Sequence, residues 1–261
     1  MPHVELHGQN IFYQDSGGDG PAIILGHGFL MNHTMFDEQL RVLVPKYRVI
    51  MHDQRGFGKT VTDGQRFSYW DCADDAVRLA DYLGIKQAVF GGMSQGGFVS
   101  LRVALRYPER VKALVLISTQ AGIDEPEKTA AYRQLIDTWR VAGPIKPLRD
   151  TIAQIILGQP EFWEPWTLGW EQLSYAALEH PSECLLTRDD ITDRVSEIKA
   201  PAIIFHGTAD AAIEIERARI LAAKLPNCRD LLEIPGASHA ANLTHPEAVN
   251  GPLVEFLQKY A

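Results

Sequence analysis

Cysteine is scarce in this chain. The three residues, Cys72, Cys184 and Cys228, lie far apart and are odd in number, which excludes a disulfide framework and a cysteine-based zinc site as expectations. Basic runs are missing: 25 Lys and Arg face 33 Asp and Glu, for a net charge of −8. Nucleic acid and anionic membrane are therefore poor partners for it. No apolar run approaches the length needed to span a bilayer, and residues 1–7 do not read as a signal peptide, so a cytoplasmic location and no membrane partner are expected. The nine histidines show no H-E-x-x-H or clustered ligand spacing, so no metal is expected, and no cofactor is called for. Repeats and low-complexity tracts are absent.

What remains is an ordinary globular composition, 46% hydrophobic and 22% charged over 261 residues, ample for a sizeable core. Residues 4–6 and 11–14 read as an opening hairpin. Short apolar runs follow at 22–25, 48–51, 88–91, 111–117, 202–206 and 231–234, the pattern of strands buried on both faces. Helical stripes lie between them, at 35–44, 68–83 (closed by Gly84), from the turn after residue 92 to Arg106, 214–225 and 246–259. Strands alternating with helices imply a mostly parallel sheet covered on both faces. Residues 122–197 break the rhythm. They hold no clear strand run and four of the five tryptophans, so they read as a helical insertion between a first part, 1–121, and a second, 198–261.

The chemistry concentrates at Gly92-Met93-Ser94-Gln95-Gly96. A strand runs into this pentapeptide and a helix rich in small residues leaves it, the context that makes a G-x-S-x-G nucleophile elbow credible. Gly92 and Gly96 let flanking backbones approach, and Ser94 is expected in strained, positive-φ backbone with its hydroxyl clear of the sheet. The first amides of the helix are unpaired and point at the same place.

An elbow serine needs a base and an acid, and active groups in such sheets lie at the carboxyl ends of strands. Asp210 follows the strand 202–206, and His239 follows 231–234. Serine, acid, histidine is the chain order for this constellation: Ser94 attacks, His239 moves the proton, Asp210 orients His239. Asp210 also reads as an N-cap for the helix after it, and His239 as a loop histidine; their joint placement favours the catalytic assignment. The turn after 22–25, Gly26-His27-Gly28-Phe29, supplies a second oxyanion donor in the Phe29 amide, beside that of Gln95. His27 and His206 read as structural.

His27-Gly-Phe, Asp53-Gln-Arg-Gly-Phe-Gly58, Gly92-Met-Ser-Gln-Gly96, Tyr107-Pro-Glu-Arg-Val111, His206-Gly-Thr-Ala-Asp210 and Gly236-Ala-Ser-His239, in that order, resemble the α/β-hydrolase superfamily. Met35-Phe-Asp-Glu-Gln39 and the compact length resemble its 3-oxoadipate enol-lactonase and bacterial arylesterase-like group. The resemblance implies an α/β-hydrolase fold with a mostly parallel, eight-stranded sheet, and a helical cap between strands six and seven that shapes the pocket. His33, Trp139, Trp163 and Trp166 are candidates for its lining. Gln95, where many relatives carry Met or Leu, and Phe29 are expected against the acyl site.

Two other signals carry less. Asp53-Gln-Arg-Gly-Phe-Gly-Lys-Thr60 nearly matches a phosphate loop, but its leading Asp and the lack of a following apolar helix argue against nucleotide; Asp53 and Arg55 read instead as a polar pair bracing the loop. Asp189 and Asp190 precede the seventh strand and so are poorer acids than Asp210. The expected function is a serine hydrolase acting on a small, mainly apolar carboxylic ester or lactone, as a monomer or homodimer. Alternatives on such a scaffold are carbon–carbon bond hydrolysis, cofactor-free perhydrolysis, and a receptor that binds without turnover.

Overall fold

A computed structural model describes residues 2–261. In chain order the elements are β1 (His3–Leu6), β2 (Gln9–Asp15), β3 (Ala22–Gly26), α1 (Asp37–Leu43), β4 (Arg48–His52), α2 (Tyr69–Tyr82), β5 (Ala88–Met93), α3 (Gln95–Arg106) and β6 (Val111–Ile117). Then come α4 (Pro126–Ala142), α5 (Lys146–Leu157), α6 (Glu164–Glu171) and α7 (Tyr175–Leu186). The chain ends with β7 (Ala202–Gly207), α8 (Ile215–Lys224), β8 (Cys228–Ile234), α9 (Ala241–Thr244) and α10 (Pro246–Tyr260). The eight strands form one sheet in the order β1-β2-β4-β3-β5-β6-β7-β8. The β1–β2 and β2–β4 pairs are antiparallel and the others parallel.

Every residue of β3, β5 and β7 is buried, because helices cover both sheet faces. Alternate strand residues divide between two cores. Ile24, Ile50, Phe90, Leu114 and Ile204 pack with α2, α3 and α8. Ile23, Val49, Val89, Val115 and Ile203 face the side of α1 and α10. Ser68 caps α2 through a reciprocal box with Asp71, which explains why that stripe begins where it does.

Two departures from the sequence reading have local causes. The stripe at 35–44 is split into a 3₁₀ turn, His33–Phe36, capped by Asn32, and the short α1. The last strand starts three residues early, at Cys228, because Arg229 and Asp230 lie on an edge strand and stay exposed; an edge needs no apolar run to signal it. Between β6 and β7 lie α4 to α7 and no strand.

Candidate active site

The sheet sets the site because β3, β5, β7 and β8 all end toward it. At the end of β5 the chain reverses into α3 through Ser94, whose φ of 53° and ψ of −113° lie in sparsely populated backbone space. The turn is held from outside. The Ser94 amide donates to the Ile117 carbonyl at 2.8 Å, and Thr119 Oγ1 donates to the Ser94 carbonyl at 2.8 Å. A Cβ on Gly92 or Gly96 would run into the carbonyl oxygen of Gly26, so only glycine permits β3 to pass this close to the elbow.

Asp210 and His239 meet although 29 residues separate them: His239 Nδ1 lies 2.7 Å from Asp210 Oδ2. Asp210 Oδ1 accepts the Ala212 and Ile213 amides at 2.8 and 2.9 Å. That is part of the N-terminal capping role expected of it, but the helix begins later, at Ile215, with Glu214 as its cap. His206 Nε2, donating to the Ile213 carbonyl at 2.8 Å, also lies 3.3 Å from Asp210 Oδ2. Burial alone would push the Asp210 carboxyl up. The His239 and His206 rings beside it, and their hydrogen bonds, outweigh that and hold it well below the usual carboxylate range. Asp210 is therefore an anion positioned by two backbone amides and the His239 ring, with His206 beside it.

Ser94 and His239 line the same cavity, of about 110 Å³. No hydrogen bond joins the Ser94 hydroxyl to the ring among the described residues; such contacts tighten when substrate enters. Phe29 and Leu30 line the cavity beside them. The Gln95 amide is the first of α3, and neither it nor the Phe29 amide has an acceptor among the described residues, which leaves both available to an oxyanion. His27, fully buried, fastens this loop: Nδ1 donates to the Gly28 carbonyl at 2.7 Å, and Nε2 accepts the Gln54 amide at 2.9 Å.

A family model described as alpha/beta hydrolase fold matches residues 21–148. A predicted carbamate hydrolase from Caulobacter sp. (strain K31) is 30% identical over 271 aligned residues, covering 95% of each chain. The chain belongs to the α/β-hydrolase family. Another relative is 3-oxoadipate enol-lactonase 2 from Acinetobacter baylyi, 27% identical over 93% of this chain and 90% of its own. Among solved structures, a thermophilic esterase from Thermogutta terrifontis superposes with a TM-score of 0.89 at 26% identity, covering 99% of each chain.

In this α/β hydrolase, Trp139 lines the cavity, but the other expected lining residues do not. His33 turns away: its ring donates to Asp53 Oδ1 at 2.8 Å and packs on Phe12. Trp163 bonds the Gly158 carbonyl at 3.3 Å, and Trp166 is buried in the hydrophobic core without lining the cavity; aromatic composition alone cannot distinguish pocket from core. Gln95 departs from expectation as well. Its side chain accepts from Tyr69 in α2 at 3.3 Å instead of meeting the acyl site. Nor do Asp53 and Arg55 pair. Asp53 accepts from His33 and from the Lys59 amide, whereas Arg55 makes a two-pronged bond to Asp75 at 2.6 and 2.9 Å. Asp189 is taken by Arg102 at 2.7 Å.

Several cavity residues carried no motif. Gln120 stands just past the end of β6, a position where strand-end logic could have found it; Ser182 and Arg188 follow from no local pattern. Trp170 carried no motif either and does not line the cavity, but it bonds to the loop that does. Its indole donates to the Leu30 carbonyl at 2.7 Å and ties α6 to the loop bearing Phe29, where Leu30 is held at a φ of 62°.

Proposed function

We propose that this hydrolase cleaves a small, mainly apolar carboxylic ester or lactone through an acyl-enzyme at Ser94. The observation that carries the reading is the buried Asp210–His239 pair, whose histidine lines the same cavity as the positive-φ Ser94. His239 Nε2 takes the Ser94 proton as Oγ bonds to the carbonyl carbon, and the carbonyl electrons move to an oxyanion held by the Phe29 and Gln95 amides. The intermediate collapses, the alkoxide leaves with the proton from His239, and water repeats the sequence to free the acid. Asp210 stays ionised and stabilises the imidazolium. Residues 122–197 act as a cap that shapes the acyl pocket. The enol-lactonase and esterase relatives, both dividing a carbonyl–oxygen bond by name, support this substrate class.

Hydrolysis of p-nitrophenyl acetate tests the proposal. Turnover is expected, and Ser94→Ala, His239→Ala and the double variant are expected to lose it to similar extents, because such residues act as a unit. Losses that multiply in the double variant would refute the assignment, and stoichiometric binding without turnover would favour a receptor.

A further inference from the structure

Most of the cavity wall is apolar, built from Phe29, Leu30, Trp139, Ile152, Ile156 and Leu178. One strip is not. Gln120, 2% exposed, donates from Nε2 to Asp124 Oδ1 at 3.0 Å. A carboxylate only accepts, so this bond sets the orientation of the amide and leaves Oε1 as its other face. That oxygen is buried with no partner among the described residues. The neighbouring ion pair closes on itself. Arg188 Nη2 donates to Asp124 Oδ2 at 2.9 Å, and its Nη1 and Nε donate to the Leu185 and Gly122 carbonyls at 2.7 and 3.3 Å. Both Asp124 oxygens and all three Arg188 nitrogens are thus engaged within the protein.

Ser182, 1% exposed on α7, also lines the cavity, on the helical face it shares with Leu178 and Leu185. A helical serine can bond back to the carbonyl four residues earlier. This one does not, and its hydroxyl too is buried without a partner. Unpaired buried polar atoms weaken a fold, and two of them occur in the wall of the cavity that also holds the nucleophile.

We infer that Gln120 and Ser182 select the substrate: the ester or lactone taken at Ser94 carries a neutral hydroxyl or amide on an otherwise apolar body, which donates to Gln120 Oε1 and pairs with Ser182 Oγ. The inference rests on the reading of Ser94 as nucleophile. Gln120 Oε1 only accepts, so the ligand must donate; a ketone, ether or carboxylate does not. A cation could donate, but it would give up its hydration in an apolar cavity with Arg188 close by. A neutral O–H or N–H meets both requirements.

The test compares kcat/KM for methyl hexanoate with that for its monohydroxy derivatives, substituted at each carbon from the third outward, and for methyl 4-acetamidobutanoate. The two polar arms distinguish hydroxyl from amide. At least one polar ester is expected to exceed methyl hexanoate by about tenfold or more, since sites built to hydrogen-bond a substrate group reject analogues that lack it. Gln120→Met and, with the smaller perturbation, Ser182→Ala are each expected to bring that ratio toward unity. A wild-type enzyme indifferent to the polar group, or a ratio unchanged in both variants, overturns the inference alone. Turnover retained in Ser94→Ala, or no turnover of any ester, overturns the nucleophile reading and this inference with it.

Discussion

Trp170→Phe separates the role of the insertion in catalysis from its role in packing. The substitution deletes the indole donor to the Leu30 carbonyl, a 2.7 Å bond between residues that are 3% and 7% exposed. A buried carbonyl left unpaired costs about 1–3 kcal/mol. Unfolding entropy near Tm is about 2.1 cal/mol/K per residue, so over 261 residues that loss lowers Tm by about 2–5 °C. The second effect is on rate. Leu30 sits at positive φ, a conformation that persists only while its surroundings hold it. Released, it is expected to relax and carry the adjacent Phe29 amide off the proposed oxyanion position. Complete loss of one such donor costs about 2.7–4 kcal/mol of barrier, so partial displacement is expected to lower kcat by about ten- to a hundredfold with little change in KM. Calorimetry and steady-state hydrolysis of p-nitrophenyl acetate read both effects. Trp163→Phe, which breaks an indole bond within the insertion and away from the cavity, is the control and should lower Tm alone. A Trp170→Phe enzyme with lowered Tm but kcat within about twofold of wild type would refute the coupling between α6 and the oxyanion loop.

Two further outcomes follow from burial and close approach. His52 is pushed down to about 4, first by burial and then by the neighbouring His27. The unfolded chain takes up this proton near pH 6.5 and the folded chain near 4, so stability falls as pH drops across that window, by about 3 kcal/mol for a shift of this size. Tm measured from about pH 7 to about pH 5 should decline, and His52→Gln should flatten the decline; an identical slope in the variant would exclude His52 as its source. Gly96→Ala places a methyl group on the Gly26 carbonyl oxygen, backbone against backbone. It should destabilise the fold by more than about 3 kcal/mol, and a soluble variant with an unchanged urea midpoint would show that the elbow has slack it is not expected to have.

The alternation of apolar runs and stripes determined the layered sheet directly. Strands buried on both faces must be apolar throughout, and helices covering them must carry one apolar face. The elbow was legible for a similar reason: a tight strand-to-helix turn demands glycines at set spacing around Ser94, and local demands leave local traces. Asp210 and His239 were legible because strand ends can be counted along the chain. Their 2.7 Å contact joins β7 and β8 at neighbouring positions that follow from topology.

What only the tertiary structure decided lies in the insertion and the loops packed against it. His33, Trp163 and Trp166 have the composition of pocket residues yet face elsewhere, whereas Gln120, Ser182 and Arg188 line the cavity, and Trp170 bonds the loop beside it, without a motif. The partners of Asp53 and Arg55 escaped the sequence for the same reason: residues two apart in a tight loop point apart and find companions 20 positions away in His33 and Asp75. Period and spacing encode which side of an element is buried. They do not encode which helix of an insertion lies over which strand end, because that depends on side chains interlocking across segments with no shared register.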